Sequence, residues 1–478
     1  MNTPNIIMIV TDQQRVDSVG AYGSKVCKTP NMDRVAAEGM RFDRAYTPTG
    51  LCSPVRCSLL SGVYPHAHKV LTNVSLHPIR ECLQPDQDRL DAGLQQAGYR
   101  MGYVGKWHVN DDKGPIEFGY DDYVSLGDYM NWRRAENLPI PDAFRTYRVQ
   151  VADRDPVDVE QSRPMWLASH ARDLISKYHA EKSKFFLRLD FHGPHFPNVV
   201  PEPYFSMYPP DLIPPWPNAS DDLKDKPAVH AIKRKHWETD KYTWENWKYL
   251  VSAYYGEISL IDDAVGTVLA QLDELGISDN TLIIWTTDHG DTIGAHGICN
   301  KDYTMYEEIY RVPMLVRWPG VVREGSVCDQ FVMHFLDIFA TLRDVVGAGP
   351  ATPSHGYSLV PILKGDVPSD WRTDAYCEFH GSHMGLYSMR LLRDERYAYV
   401  YHPNDEDELY DMAEDPWQLK NLAREPEQYA AVLDRMKRKM VARMAETDDH
   451  IHNEWTAWWL TEDEQLASEA PGRSKKAW

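Results

Sequence analysis

Short apolar runs closed by polar residues, each set off by a stretch of helical spacing, recur along this chain up to about residue 365. "NIIMIVTD" (5–12) reads as a buried parallel strand, because a strand covered on both faces is apolar throughout. "TPNMDRVAAEGM" has a proline near its start, helical spacing and a late glycine, which predicts a helix. Helix then strand returns in "DRLDAGLQQAGY" with "RMGYVGKWHV", and again in "SRPMWLASHARDLISKY" with "KFFLRLDFHG". A long helix over about 241–275 precedes "TLIIWTTDHG". This alternation predicts an α/β domain around a largely parallel sheet.

The pattern changes beyond that point. "LYSMRLLRDERYAYVYH" reads as two paired strands around a charged turn, and "EQYAAVLDRMKRKMVARMAE" as an amphipathic helix. A chain of 478 residues also exceeds the ~250–300 at which one core stops growing. We therefore expect a large α/β domain over 1–365 and a smaller C-terminal α+β subdomain with a tail over 366–478. Residues 200–245 are rich in proline and tryptophan, so an insertion without regular structure is expected there, its aromatics lining a pocket mouth or packing on the surface. The tail "NEWTAWWLTEDEQLASEAPGRSKKAW" has tryptophans that look exposed, which suggests docking on another subunit and a homodimer or homotetramer.

Charge narrows the partners. With 51 basic and 71 acidic side chains the formal charge is −20, which argues against nucleic acid or an anionic membrane. An anionic substrate would have to meet cations gathered locally. No segment approaches the ~20 apolar residues of a membrane helix, and "NIIMIV" lacks the flanks of a signal peptide. Seven scattered cysteines do not form a disulfide framework, so a cytoplasmic location is expected.

Polar residues capable of chemistry collect at the predicted strand ends. Asp12 closes the first strand, and Asp288 and His289 close "TLIIWTTDHG". Lys106 and His108, two apart, would face one side, and His192 and His195 follow "FFLRLDFHG". Ligands of open α/β sheets bind outside these carboxyl ends. One such residue is usually a cap or turn, but four strands delivering them together point to a single site. Asp12, Asp288 and His289 could ligate a divalent cation. Lys106, His108, His195 and Lys301 could face an anionic group.

"LCSPVRCSLLSG" (51–62) holds two cysteines five residues apart. A cysteine phosphatase would need arginine six residues after Cys52, where Ser58 stands; Arg56 comes at the fourth place instead. A zinc site would need a second ligand pair at short spacing. A buried structural thiol stays open on these grounds.

Cys52-Ser53-Pro54-Val55-Arg56 resembles the C-x-P-x-R signature of type I sulfatases, whose cysteine is oxidised after translation to Cα-formylglycine. "NIIMIVTDQQ", "YVGKWHV", "FHGPHFP", "TTDHGDTIGAHG" with Lys301, and "ELYDMAEDPWQLKNLA" are similar to further segments of that family, in the same order over most of the chain. The resemblance implies the alkaline phosphatase-like fold, a large mostly parallel mixed sheet sandwiched by helices. It also implies one divalent metal held by Asp12, Gln13, the modified Cys52, Asp288 and His289. Gln13 stands where many sulfatases have aspartate, and His289 where many have asparagine. Ca²⁺ is expected by family, whereas the imidazole shifts preference toward Mn²⁺ or Zn²⁺. Asn73 stands where choline sulfatases and phosphonate hydrolases contact substrate.

The resemblance further implies arylsulfatase-type hydrolysis of sulfate monoesters. The hydrated aldehyde at position 52 attacks sulfur, and its second hydroxyl then loses a proton, to His108, as sulfate is expelled. His195 protonates the leaving alcohol with Lys301 near the same oxygen. Arg56 stabilises the ionised diol and Lys106 a sulfuryl oxygen. A formylglycine-generating system is the implied partner. Phosphonate monoester hydrolases share the Asp-Gln and Asp-His pairs but lack the lysine and histidine of "GKWH", so phosphonate or phosphodiester hydrolysis is the alternative. A non-catalytic protein that binds sulfated ligands is a second alternative, which the intact cysteine signature disfavours.

Overall fold

The computed structural model describes residues 3–74, 82–87, 89–145 and 151–471. Eight strands make the main sheet: β1 (Asn5–Thr11), β2 (Met40–Phe42), β3 (Arg100–Gly105), β4 (Asp122–Ser125), β5 (Phe185–Asp190), β6 (Thr281–Thr287), β7 (Met314–Arg317) and β8 (Ser326–Cys328). Their order across the sheet is β8-β2-β7-β6-β1-β5-β3-β4. All run parallel except β7, which pairs antiparallel with β6 and β2. The sheet is mixed and mostly parallel, as expected.

The apolar run of β1 shows why this sheet is covered on both faces. Ile7 and Ile9 pack with α1 (Pro30–Ala37), α3 (Arg163–Ala180) and α4 (Trp244–Glu274). Ile6, Met8 and Val10 point the other way, into a core with α2 (Cys52–Ser61) and α5 (His334–Val345). Successive residues of a strand face opposite sides, so a strand between two helical layers must be apolar at every position.

A second sheet of four antiparallel strands follows: β9 (Ala375–Ser382), β10 (Gly385–Arg393), β11 (Tyr397–Tyr401) and β12 (Glu408–Asp411). β10 and β11 are the strand pair read around the charged turn. Helix α6 (Ala430–Glu446) covers this sheet with Leu433, Met436, Met440, Val441 and Met444, the apolar stripe of its sequence.

The expectation for 200–245 needs correction. Much of it is turn and loop, but Ala228–His236 is an α-helix, which follows Pro227 as its N-cap and contains no proline of its own. Proline sets a compatible φ at a helix start and obstructs only from within. Trp216 is not a free rim residue either, since its ring packs on the Arg15 guanidinium at 4.3 Å and its indole N–H donates to the Ile293 carbonyl. In the tail, helix Glu454–Thr461 leaves Trp455, Trp458 and Trp459 exposed, while Trp478 lies outside the described residues. Among the described residues no helix is long and apolar enough to cross a membrane.

Candidate active site

Four neighbouring parallel strands, β6, β1, β5 and β3, end beside one another, and each delivers polar residues at its carboxyl end. Asp12 and Gln13 follow β1, and Asp288 and His289 follow β6. Asp190 ends β5, and Lys106 follows β3. The close meeting of β3 and β5 needs Gly105. Its φ is +113°, and a Cβ there would lie 1.9 Å from the Asp190 carbonyl oxygen. Any side chain would force the strand ends apart and carry Lys106 away.

Helix α2 brings the fifth component. Cys52 is its first residue and is 1% exposed, with Sγ 3.2 Å from His289 Nε2 and 3.9 Å from Asp12 Oδ1. Asn73 accepts a hydrogen bond from the Ser53 N–H through Oδ1 (3.0 Å), so it fixes the turn that presents Cys52. One helical turn on, Arg56 is wholly buried. Its Nε and Nη2 donate to Asp288 Oδ2, Nη2 also to Asp12 Oδ2, and Nη1 to Asp190 Oδ2 and the Lys106 carbonyl. These bonds account for all five guanidinium N–H groups. The stabilisation of an ionised diol expected of Arg56 would therefore run through the carboxylates it orients.

The electrostatics follow from few charges in a dry pocket. Burial alone would raise the Cys52 thiol, but Lys106, Lys301, His289 and a hydrogen bond from His108 outweigh it and hold the thiol well below its ordinary range. Asp12 and Asp288 place carboxylate oxygens within 4.8 Å of each other. Burial disfavours both charges and Asp12 raises Asp288, while Lys106, His195 and Arg56 keep Asp12 ionised. Lys106 Nζ donates to Asp12 Oδ2 at 2.5 Å. Burial and the neighbouring Lys106 lower His108, which faces Cys52 from a left-handed backbone position (φ +54°).

These residues fit a divalent cation. One donor atom each from Asp12, Cys52, Asp288 and His289 lie within 4.8 Å of one another, all buried. His289 Nδ1 donates to the Gly290 carbonyl at 2.9 Å, which leaves Nε2, facing Cys52, as the ligating nitrogen once its proton is lost. The Cys52 Sγ marks where an oxygen borne by the same Cβ would lie if the thiol were oxidised. Two carboxylates, one imidazole and an oxygen suit a borderline divalent ion.

Gln13 departs from the expected ligand role. Its Oε1 accepts from Lys301 Nζ at 2.6 Å, its Nε2 donates to Asp291 Oδ2, and only its backbone N–H reaches the metal aspartates, at Asp288 Oδ1. A carbonyl oxygen that accepts from an ammonium is poorly placed to serve a cation as well. His195 Nδ1 donates to the Phe196 carbonyl (2.6 Å), so the neutral ring must accept at Nε2, where Lys301 Nζ lies at 2.8 Å. The His192 ring lies tilted against that of His195, with ring centroids 5.1 Å apart.

Sequence reasoning missed Asp190 and Asp291. Asp190 carried the same strand-end signal as Asp12 and Asp288. Asp291, in the loop after β6, carried none, because only folding brings it to Gln13.

The sulfatase family model matches residues 4–348, and the C-terminal model of N-sulphoglucosamine sulphohydrolase matches 294–446. The chain is 26% identical to N-acetylglucosamine-6-O-sulfatase of Bacteroides thetaiotaomicron, over 88% of this chain and 82% of that protein. It is 28% identical to the multifunctional alkaline phosphatase superfamily protein PehA of Trinickia caryophylli, over 94% and 96%. The crystal structure of the phosphonate monoester hydrolase of Agrobacterium radiobacter superposes with a TM-score of 0.81 at 27% identity, covering 93% of this chain and 96% of that one.

Proposed function

This chain belongs to the sulfatase family, and on that premise we propose that it hydrolyses sulfate monoesters, with Cys52 oxidised to Cα-formylglycine as the source of the attacking hydroxyl. One observation carries the reading. The side chain that begins α2 faces a carboxylate and imidazole donor set, with the ammonium groups of Lys106 and Lys301 near enough to favour negative charge there.

The hydrated aldehyde offers two hydroxyls, one to attack sulfur and one to expel sulfate as the aldehyde re-forms. A divalent ion held by Asp12, Cys52, Asp288 and His289 would supply positive charge beside the nucleophile and the sulfuryl oxygens. Arg56 fixes Asp12 and Asp288 in place. Lys106, on the Asp12 carboxylate, covers a non-bridging oxygen with positive charge. His108, held neutral, takes the proton of the second hydroxyl. The His195–Lys301 pair serves the oxygen of the leaving alcohol, and Asn73 borders the substrate beside Cys52.

A second reading, hydrolysis of phosphonate monoesters or phosphodiesters, is favoured by His289 and by the likeness to the Agrobacterium enzyme. Lys106 and His108 favour the sulfate. Turnover of an aryl sulfate against an aryl phenylphosphonate, on protein reconstituted with Ca²⁺, Mn²⁺ or Zn²⁺ and with the modification verified by mass, tests this. The sulfate should be preferred; a large excess for the phosphonate reverses the assignment. A formylglycine-generating system is the implied partner, and an oligomer built on the exposed tryptophans of Glu454–Thr461 is testable by light scattering.

A further inference from the structure

The geometry points to Asp291 as a positioning residue that, through the amide of Gln13, holds Lys301 and His195 against the oxygen of the departing alcohol. The inference rests on the ester-hydrolysis reading and deepens it at the leaving-group side.

Four side chains form one line. Asp291 is wholly buried, and its Oδ1 accepts from the backbone N–H groups of Ile293 and Asn300, both at least 2.8 Å away, which locks the carboxylate in place. Its Oδ2 accepts from Gln13 Nε2. Gln13 Oε1 accepts from Lys301 Nζ at 2.6 Å, and Lys301 Nζ donates to His195 Nε2 at 2.8 Å. The partners fix the orientation of the amide: only a nitrogen can donate to a carboxylate, and only an oxygen can accept from an ammonium. The backbone supports this arrangement, since Gln13 sits at φ +68° with its carbonyl accepting from the Tyr254 hydroxyl.

The line leaves one donor over. An ammonium has three N–H groups, and Lys301 gives two of them to Gln13 and His195. Among the described residues the third has no hydrogen-bond partner and is left for the departing oxygen. As the S–O bond to the alcohol breaks, its electron pair goes to the alcohol oxygen and the Lys301 proton follows. The neutral amine is reprotonated from water after the alcohol leaves. The side chain of Asp291 bonds to Gln13 and to two backbone N–H groups and to none of the four metal-donor side chains, so its effect passes through the orientation of Gln13. An asparagine at 291 would turn an N–H₂ toward the Gln13 amide nitrogen. The amide would then flip, present its own N–H₂ to Lys301, and drive the ammonium away.

The dependence of rate on the leaving group reads this role directly, because an acidic phenol departs without a proton and a weakly acidic one does not. Asp291→Asn and Gln13→Met should each lower kcat/KM on phenyl sulfate about 100-fold, and on 4-nitrophenyl sulfate less than about tenfold. In a Lys301→Ala background, Asp291→Asn should cost no more than about threefold on phenyl sulfate, since the group it positions is gone. Equal losses on both esters, or a full additive loss in the Lys301→Ala background, overturn the assignment. Gln13→Met breaks the line without disturbing the backbone contacts of Asp291, so it decides the matter if Asp291→Asn fails to fold. Should the wild type prefer phosphonates, phenyl and 4-nitrophenyl phenylphosphonate replace the sulfates. An alcohol departs from either ester, so the sulfatase reading can then fail while this inference stands or falls on its own slope.

Discussion

Arg56 and Asp288 meet through two hydrogen bonds, Nε and Nη2 of the guanidinium both reaching Oδ2 of the carboxylate, at 3.1 and 3.0 Å with no solvent exposure on either side. The same arginine also joins Asp12 and Asp190, so one planar cation sets the spacing of three strand ends. A lysine cannot copy this fork. Arg56→Lys should lower stability by about 3 kcal/mol, because it strands buried carboxylates. It should also leave the purified protein short of metal. Denaturant unfolding and elemental analysis check both, and a variant with wild-type values of each would remove Arg56 from the metal site's support.

Position 52 is the most exacting test of the proposed chemistry. Active protein should yield a peptide about 18 Da lighter at Cys52 than the thiol form. Cys52→Ala should lose turnover by about 10⁴-fold or more with its unfolding transition intact. Active protein that carries only the thiol would exclude the proposed nucleophile.

Lys106 should decide between sulfur and phosphorus. Its ammonium, 2.5 Å from Asp12, is charge the sulfuryl oxygens would share, and phosphonate monoester hydrolases resemble this chain without it. Lys106→Ala should cut aryl sulfate turnover about 100-fold and phenylphosphonate turnover markedly less. The ratio of the two kcat/KM values is the readout, and an unchanged ratio means Lys106 does not discriminate.

Glu257 gives a stability prediction away from the metal donors. Burial pushes its carboxyl up to about 7, despite Arg163 and the hydrogen bond from Asn198. A carboxyl raised above its unfolded value costs nothing below pH ~4.5. The folded state then loses stability as pH rises from there to about 7, by about 3 kcal/mol, because only the unfolded chain ionises freely. Glu257→Gln should flatten the stability profile between pH 5 and 8 and stand above wild type at pH 8. Parallel profiles would show that Glu257 ionises normally in the fold.

The sequence alone determined what depends on neighbours along the chain. The uninterrupted apolar run of Ile6 to Val10 announced a strand buried on both faces, and the stripe of α6 announced a covered helix. Asp12, Cys52, Asp288 and His289 were legible because strand-end position and the local spacing from Cys52 to Arg56 are properties of single segments. Only the tertiary structure decided the partners of Arg56, Gln13 and Asp291. Hydrogen bonds between residues hundreds of positions apart, such as Gln13 to Lys301, are set by how strands stack side by side. A polar side chain in a dry pocket must use the partners that stacking supplies. Gln13 meets a carboxylate on one side and an ammonium on the other, and no pattern within its own segment records either.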